Sequence, residues 1–227
     1  MLKKLSVICV ALIGMFCFTG CGKNKIHIAD YIIEERETLF TANDDLYNVS
    51  LCSGKRELNY NLDGVVNNLT DFAILSISRN NNKNMANDTY AYIVTVNAEN
   101  FTGFLTKSEI DNTYCSDLEI AIPADAVINV KISFTGYTFD KDLTNTSNSF
   151  AVDKDTALNI ANEELCENVE NLIKNKSNIE VVTKILKDYS SVELKNYYWY
   201  VGIVASNGET LGILIDSNTG NIIAKKV

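Results

Sequence analysis

The chain has 227 residues, a formal net charge of −9, six cysteines, one proline and one histidine. A chain of this length can bury one or two cores, and its acidity argues against a nucleic-acid binder, whose affinity comes from neutralised phosphates. The lone His27 sits in a polar N-terminal stretch, which removes Ser-His-Asp and Cys-His catalysis and any H-E-x-x-H zinc site.

The chain opens with "MLKK", then the uncharged run "LSVICVALIGMFCF", shorter than the roughly 20 residues a membrane span requires. Small Thr19 and Gly20 follow, then Cys21. A basic start, a short apolar stretch and small residues at the end read as a signal peptide. With the cysteine they resemble a bacterial lipoprotein signal, residues 1–20, although Phe18 stands where that family carries an aliphatic residue. The resemblance implies diacylglycerol on the Cys21 thiol, cleavage before Cys21, and a palmitate-type anchor at the extracytoplasmic face of the cell membrane. Two or more acyl chains hold a protein stably there. Without Lys3 and Lys4 the mature chain would carry 18 basic and 29 acidic residues, net −11, so attachment would rest on lipid rather than on charge.

Residues 21–44 read as a tether and a segment, "DYIIEERETLF", without a strong period. From residue 45 to 139 the pattern has period two. Examples are Tyr47, Val49 and Leu51; Leu58, Tyr60 and Leu62; Ala73, Leu75 and Ile77; and Ile128, Val130, Ile132 and Phe134. Alternation with one apolar face predicts antiparallel strands over a core. Six or seven strands predict a β-sandwich, of which the immunoglobulin fold is one form. "DKDLTNTSNS", residues 140–149, reads as a linker. Leu158, Ala161, Leu165, Val169 and Leu172 then fall on one helical stripe from about Asp153 to Lys174, with Asp153 as N-cap. "IEVVTKIL" suits a strand by its β-branched residues and a helix by the "SNIE" before it. Asn207-Gly208 between apolar runs predicts a hairpin, and "DSNTG" a turn into a last short strand. The fold class expected is mainly β, with an α+β unit of one helix on an antiparallel sheet over residues 150–227.

Residues 150–227 resemble a PepSY domain, a module of secreted peptidase propeptides and bacterial envelope proteins. The matching residues are "ALNIA" (Ala157 to Ala161), Trp199 with Val201, and Asp216, Thr219 and Gly220 with Ile222. The long stretch between helix and Trp strand departs from the family, as does the single copy. The resemblance implies no catalytic residues and no cofactor. It also implies a module that packs against a protein it accompanies.

Cys52, Cys115 and Cys166 have no metal-ligand spacing, and their odd number cannot form a full disulfide framework. They read first as small buried hydrophobes, with a Cys52–Cys115 bridge left open. In "YYWY", Tyr198 and Tyr200 share one strand face and Trp199 shares the other with Val201. All three aromatic residues are candidate binding residues, with core packing the plainer role. No metal site is expected. Two function classes remain. One is a non-enzymatic, lipid-anchored module that binds an envelope or secreted protein, such as a peptidase. The other is a cell-wall-directed hydrolase working through carboxylates, a role for which no residue pattern speaks.

Overall fold

The structure is a computed structural model that describes residues 26–58, 62–80, 84–109, 112–187 and 196–227; Cys21 and Tyr60 lie outside them. The elements in chain order are β1 (Ile32–Asn43), β2 (Tyr47–Glu57), β3 (Leu69–Arg79), β4 (Tyr90–Val96), β5 (Glu99–Lys107), β6 (Thr113–Leu118), β7 (Ile128–Phe134), β8 (Tyr137–Asn145), α1 (Lys154–Lys174), β9 (Ile179–Lys187), β10 (Tyr197–Ala205), β11 (Thr210–Asp216) and β12 (Ile222–Lys226). All strands belong to one sheet, in the order β12-β11-β10-β9-β1-β2-β3-β6-β5-β4-β7-β8. Strand β8 returns to pair with β1 through Phe40–Asn145 and Thr41–Thr144. The first eight strands therefore close into an antiparallel barrel, and β9 to β12 continue outward from β1.

This corrects the expected fold class. There is no two-sheet sandwich, immunoglobulin-like or otherwise, and the C-terminal strands are not a separate sheet. A sandwich and a barrel place the same alternation on each strand; closure depends on stagger between strands, which the period does not encode. Residues 140–145, expected in a linker, are the second half of β8. "IEVVTKIL" is strand β9, which pairs parallel with β1 and antiparallel with β10.

The barrel interior is filled. Val49, Leu51, Leu75, Ile77, Tyr90, Val94, Val130, Ile132 and Phe139 point into it, each at most 1% exposed. The meander β4-β5-β6 lies in reverse order between β3 and β7, so the β3–β4 and β6–β7 connections cross opposite ends. Met85 and Ile122 from those connections join the core. At the first end Tyr90 and Tyr114 donate their hydroxyls to the Ala86 carbonyl, at 3.0 and 3.2 Å. Asp44 closes the same end. It accepts from the backbone N–H of Leu46 and Tyr47, each at 2.8 Å, and from the Tyr137 hydroxyl at 2.6 Å.

A second core lies beneath α1. Asp153 caps the helix, accepting from the Thr156 N–H at 2.8 Å. The stripe Ala157, Leu158, Ala161, Leu165, Val169 and Leu172 packs on Val181, Trp199, Val201, Ile203, Ile213 and Ile215. Ile28 and Ile32, from the stretch expected to be a tether, belong to the same core, and Asn162 accepts from the Ile28 N–H at 3.0 Å. The unit under the helix thus draws residues from both ends of the described chain.

Strand β1 serves both cores, and its period is broken twice. Its pairing with β2 skips Glu37, and its pairing with β9 skips Ile33. Each extra residue reverses the alternation. Between the two breaks the alternation is inverted, so Glu35 shares one sheet face with Ile32 and Phe40; that face meets the helix-side core at Ile32 and the barrel core at Phe40. Lys154, at the start of α1, binds Glu35 at 2.6 Å and Glu37 at 2.9 Å. Its burial works against the charge, but these two carboxylates hold its pKa above the ordinary lysine value. They also offset the unfavourable position of a cation at a helix N-terminus. Opposite the bulge stands Gly54; a Cβ there would lie 1.8 Å from the Glu35 carbonyl oxygen and 2.9 Å from the Arg36 Cα.

Two outcomes follow from this geometry. Gly54→Ala forces backbone apart at the strand both cores share, and should lower stability by at least about 3 kcal/mol, read from urea unfolding. Burial works against the Asp44 charge, but its hydrogen bonds from Tyr137, Leu46 and Tyr47 hold its carboxyl below the ordinary value. A depressed folded pKa stabilises fully above the unfolded value of about 3.9 and is lost as pH falls through the folded one. Tyr137→Phe should therefore cost about 1.5 kcal/mol at pH 7, and the gap from the parent should shrink below about pH 4. A gap that is constant across that range would show that the bond does not depend on the Asp44 charge.

Candidate functional site

A packed and capped barrel leaves recognition to the outer surface. The outer surface best suited to it runs across the C-terminal strands, because β10 "YYWYVGIVA" and β11 "TLGILID" are apolar on both faces. Strands of that kind are covered on both sides in α/β folds, yet α1 covers only one.

Trp199 is on the covered side. It is 2% exposed, its Nε1 donates to the Val152 carbonyl at 2.8 Å, and Phe150 meets it edge-on. It offers no surface in this structure. Tyr198 and Tyr200 stand half-buried on the other face. Beside Tyr200, Gly202 and Gly212 face each other across β10 and β11. The Tyr200 ring lies flat over both. A Cβ on Gly202 would be 2.6 Å from its hydroxyl, and one on Gly212 would be 3.3 Å from the ring. The paired glycines leave a hollow that the ring fills, as aromatic residues do over sheet glycines.

The registers extend Tyr200 into a row across six strands: Leu214, Tyr200, Lys184, Arg36, Gly54 and Phe72. Lys184 Nζ sits 5.5 Å from the Tyr200 ring centre. The Arg36 and Arg56 guanidinium groups lie 5.8 and 4.4 Å from the Phe72 ring, within cation–π range. Arg36 pairs with Glu34 at 2.6 Å and Arg56 with Asp117 at 2.8 Å. Among the described residues no carboxylate approaches Lys184 within salt-bridge distance. Its pKa falls below the ordinary lysine value, first through burial and then through the Arg36 charge beside it. The same surroundings bury Cys52, whose thiol is pushed up to about 11 by desolvation, so it stays protonated and unreactive.

The sheet ends in two edges of different character, β12 and β8; within the barrel, β5 also lacks a partner among the described residues on its β6 side from Glu99 to Leu105, because it joins β6 only at Thr106–Cys115 and Lys107–Tyr114. Strand β12 ends the sheet and is exposed along its length, with Ile222 at 40% and Ile223 at 52%. Its lysines are turned back onto the protein: Lys225 binds the Glu164 carboxylate and carbonyl, and Lys226 binds the Thr210 hydroxyl. The other edge is β8, which overhangs β1 from Tyr137 to Leu143. It carries the run Asp140, Lys141 and Asp142. Lys141 is opposite Val130, on the inward side, yet exposed. Inward charges and charged runs are how natural sheets guard an edge.

The remaining candidate residues are placed as follows. Among the described residues, Cys52, Cys115 and Cys166 form no disulfide. Among the described residues no cluster of His, Cys, Asp or Glu could hold a metal ion, and no helix is long and apolar enough to cross a membrane. The "DSNTG" residues have a local role. Asp216 accepts from the N–H of Asn218 and Thr219, both at 2.9 Å, and Gly220 takes a φ of +73° to turn into β12. The sequence pattern singles out neither Lys184 nor Arg36, one in a segment of ambiguous type and the other in the aperiodic β1. No protein-family model matches the chain, and no curated protein or solved structure is similar to it.

Proposed function

We propose that the chain is a lipid-anchored, extracytoplasmic binding module, not an enzyme, and that its partner is an envelope or secreted protein, with a peptidase as one member of that class. The observation that carries the reading is the contrast between the two edges. Strand β8 is guarded by charge, while β12 presents Ile222 and Ile223 and ties its lysines away. An unguarded edge can accept a partner strand through main-chain hydrogen bonds. An acyl anchor on Cys21 would confine both partners to one membrane face and raise their effective concentration. The PepSY-like order of residues 157–222 agrees with a module that packs on a companion protein.

The anchor is tested by Cys21→Ala, which should abolish labelling by radioactive fatty acid in cells; label that persists defeats the lipoprotein reading. The edge is tested by crosslinking in intact cells and mapping the linked peptides. Links should concentrate in residues 196–224, and Ile222→Lys with Ile223→Lys should remove them while changing stability by no more than about 0.5 kcal/mol, the range of surface substitutions. Links confined to the barrel, residues 45–139, or the absence of links, contradict the proposal.

A further inference from the structure

From the geometry of the uncovered sheet face we infer a specific contact on it: Lys184, Arg36 and Tyr200 receive an acidic peptide segment of the partner, a carboxylate between the two cations and an aromatic ring on Tyr200. The inference rests on the binding-module reading and names the chemistry of its partner.

Three observations converge. First, the face is apolar where a solvated sheet face is polar. Val182, Val204 and Leu214 are half-buried around Tyr200, and Leu186 is exposed. Second, Lys184 and Arg36 occupy partner positions on neighbouring strands. Like charges placed so are destabilising by a few tenths to about 1 kcal/mol. The single nearby carboxylate that bonds either cation, Glu34, is taken by Arg36 Nε. An incoming carboxylate would remove the repulsion, and Lys184 would regain the charge stabilisation that burial and Arg36 withdraw. Third, Tyr200 lies flat with its inner face on two glycines, so its outer face is the one that a ring can stack on.

Charge complementarity selects the occupant. In a chain of net charge −9, a pair of adjacent cations on an apolar face favours an anion over a neutral or basic segment. The surrounding tyrosines and aliphatic residues have the make-up of a protein interface core. An anionic polysaccharide would meet the same cations, but it would not use the aliphatic surround. A peptide carrying both carboxylates and a ring satisfies all three features.

The test uses the full chain in mild detergent and a fluorescent decapeptide of glutamates with one central phenylalanine, read by anisotropy at low and physiological salt. A glutamine-for-glutamate peptide and alginate serve as comparisons. The glutamate peptide should bind at least about tenfold tighter than either, with an affinity that weakens as salt rises. Lys184→Gln should weaken it about tenfold and Tyr200→Leu by a similar factor, whereas Lys131→Gln, at an exposed position of β7, should have no effect. The melting temperature of Lys184→Gln should be unchanged or higher, because a repulsive charge is removed. A merely structural Lys184 would instead lower the melting temperature and leave binding intact. Equal binding of the glutamate and glutamine peptides, preference for alginate, or unchanged affinity in Lys184→Gln overturns the inference. Crosslinks that persist through β12 in that event would leave the binding-module reading standing, and their absence would remove both.

Discussion

The close approach of Gly54 to the β1 bulge is the constraint on which the rest of the structure depends. A long strand can lay one face against two cores in succession when its two halves have different neighbours. Strand β1 does so: the face that meets the helix side at Ile32 meets the barrel interior at Phe40, and between them Glu37 is squeezed out of register. The bulged backbone presses on the facing strand, and only a residue without a Cβ leaves space for it. The same bulge sets Glu35 and Glu37 where both reach Lys154. The first residue of the helix is thereby fastened to the strand that organises everything else. A partly buried pair of this kind is costly to break on one side only, so the helix, the bulge and the closure of the barrel support one another.

Barrel closure also decides where chemistry is available. Eight strands enclose a space that side chains can fill, and here they fill it, with connections crossing both ends. Inside the closed part the strands are paired on both sides except at the short joint of β5 and β6, which holds by two residue pairs. What remains is the outer wall, the overhang of β8 and the open run from β9 to β12. Charge guards the overhang, and α1 covers one side of the open run. The uncovered side and the terminal edge are left, adjacent to each other and both more apolar than water contact alone would favour.

How much of this could be read from the sequence depended on whether a local pattern survived intact. The α1 stripe, the Asp153 cap, the Asn207-Gly208 hairpin and the Asp216–Gly220 turn are set by residues within a few positions of one another, and the structure has each at its expected place. The split of Trp199 from Tyr198 and Tyr200 was legible for the same reason. β1 was not: two register breaks within twelve residues erase the alternation that would announce a strand. Strand β5, with its Gly103 placed to make room for the Tyr92 ring, hides its alternation behind exposed positions. Closure and the parallel β1–β9 joint are long-range pairings that no local period records. The cation row was invisible because its members lie on six separate strands and meet only through register.

Strand β1 makes the barrel and the helix-covered strands one cooperative unit. Trp199, the sole tryptophan, reports on the core beneath α1, while amide exchange in β4 and β7 reports on barrel strands that do not touch β1. Urea unfolding followed by Trp199 fluorescence, with hydrogen exchange of those barrel amides measured over the same urea series, is the most direct test. If β1 couples the two cores, both probes give a single transition with coincident midpoints and slopes. A helix-side core that melts at lower urea while β4 and β7 stay protected would contradict it.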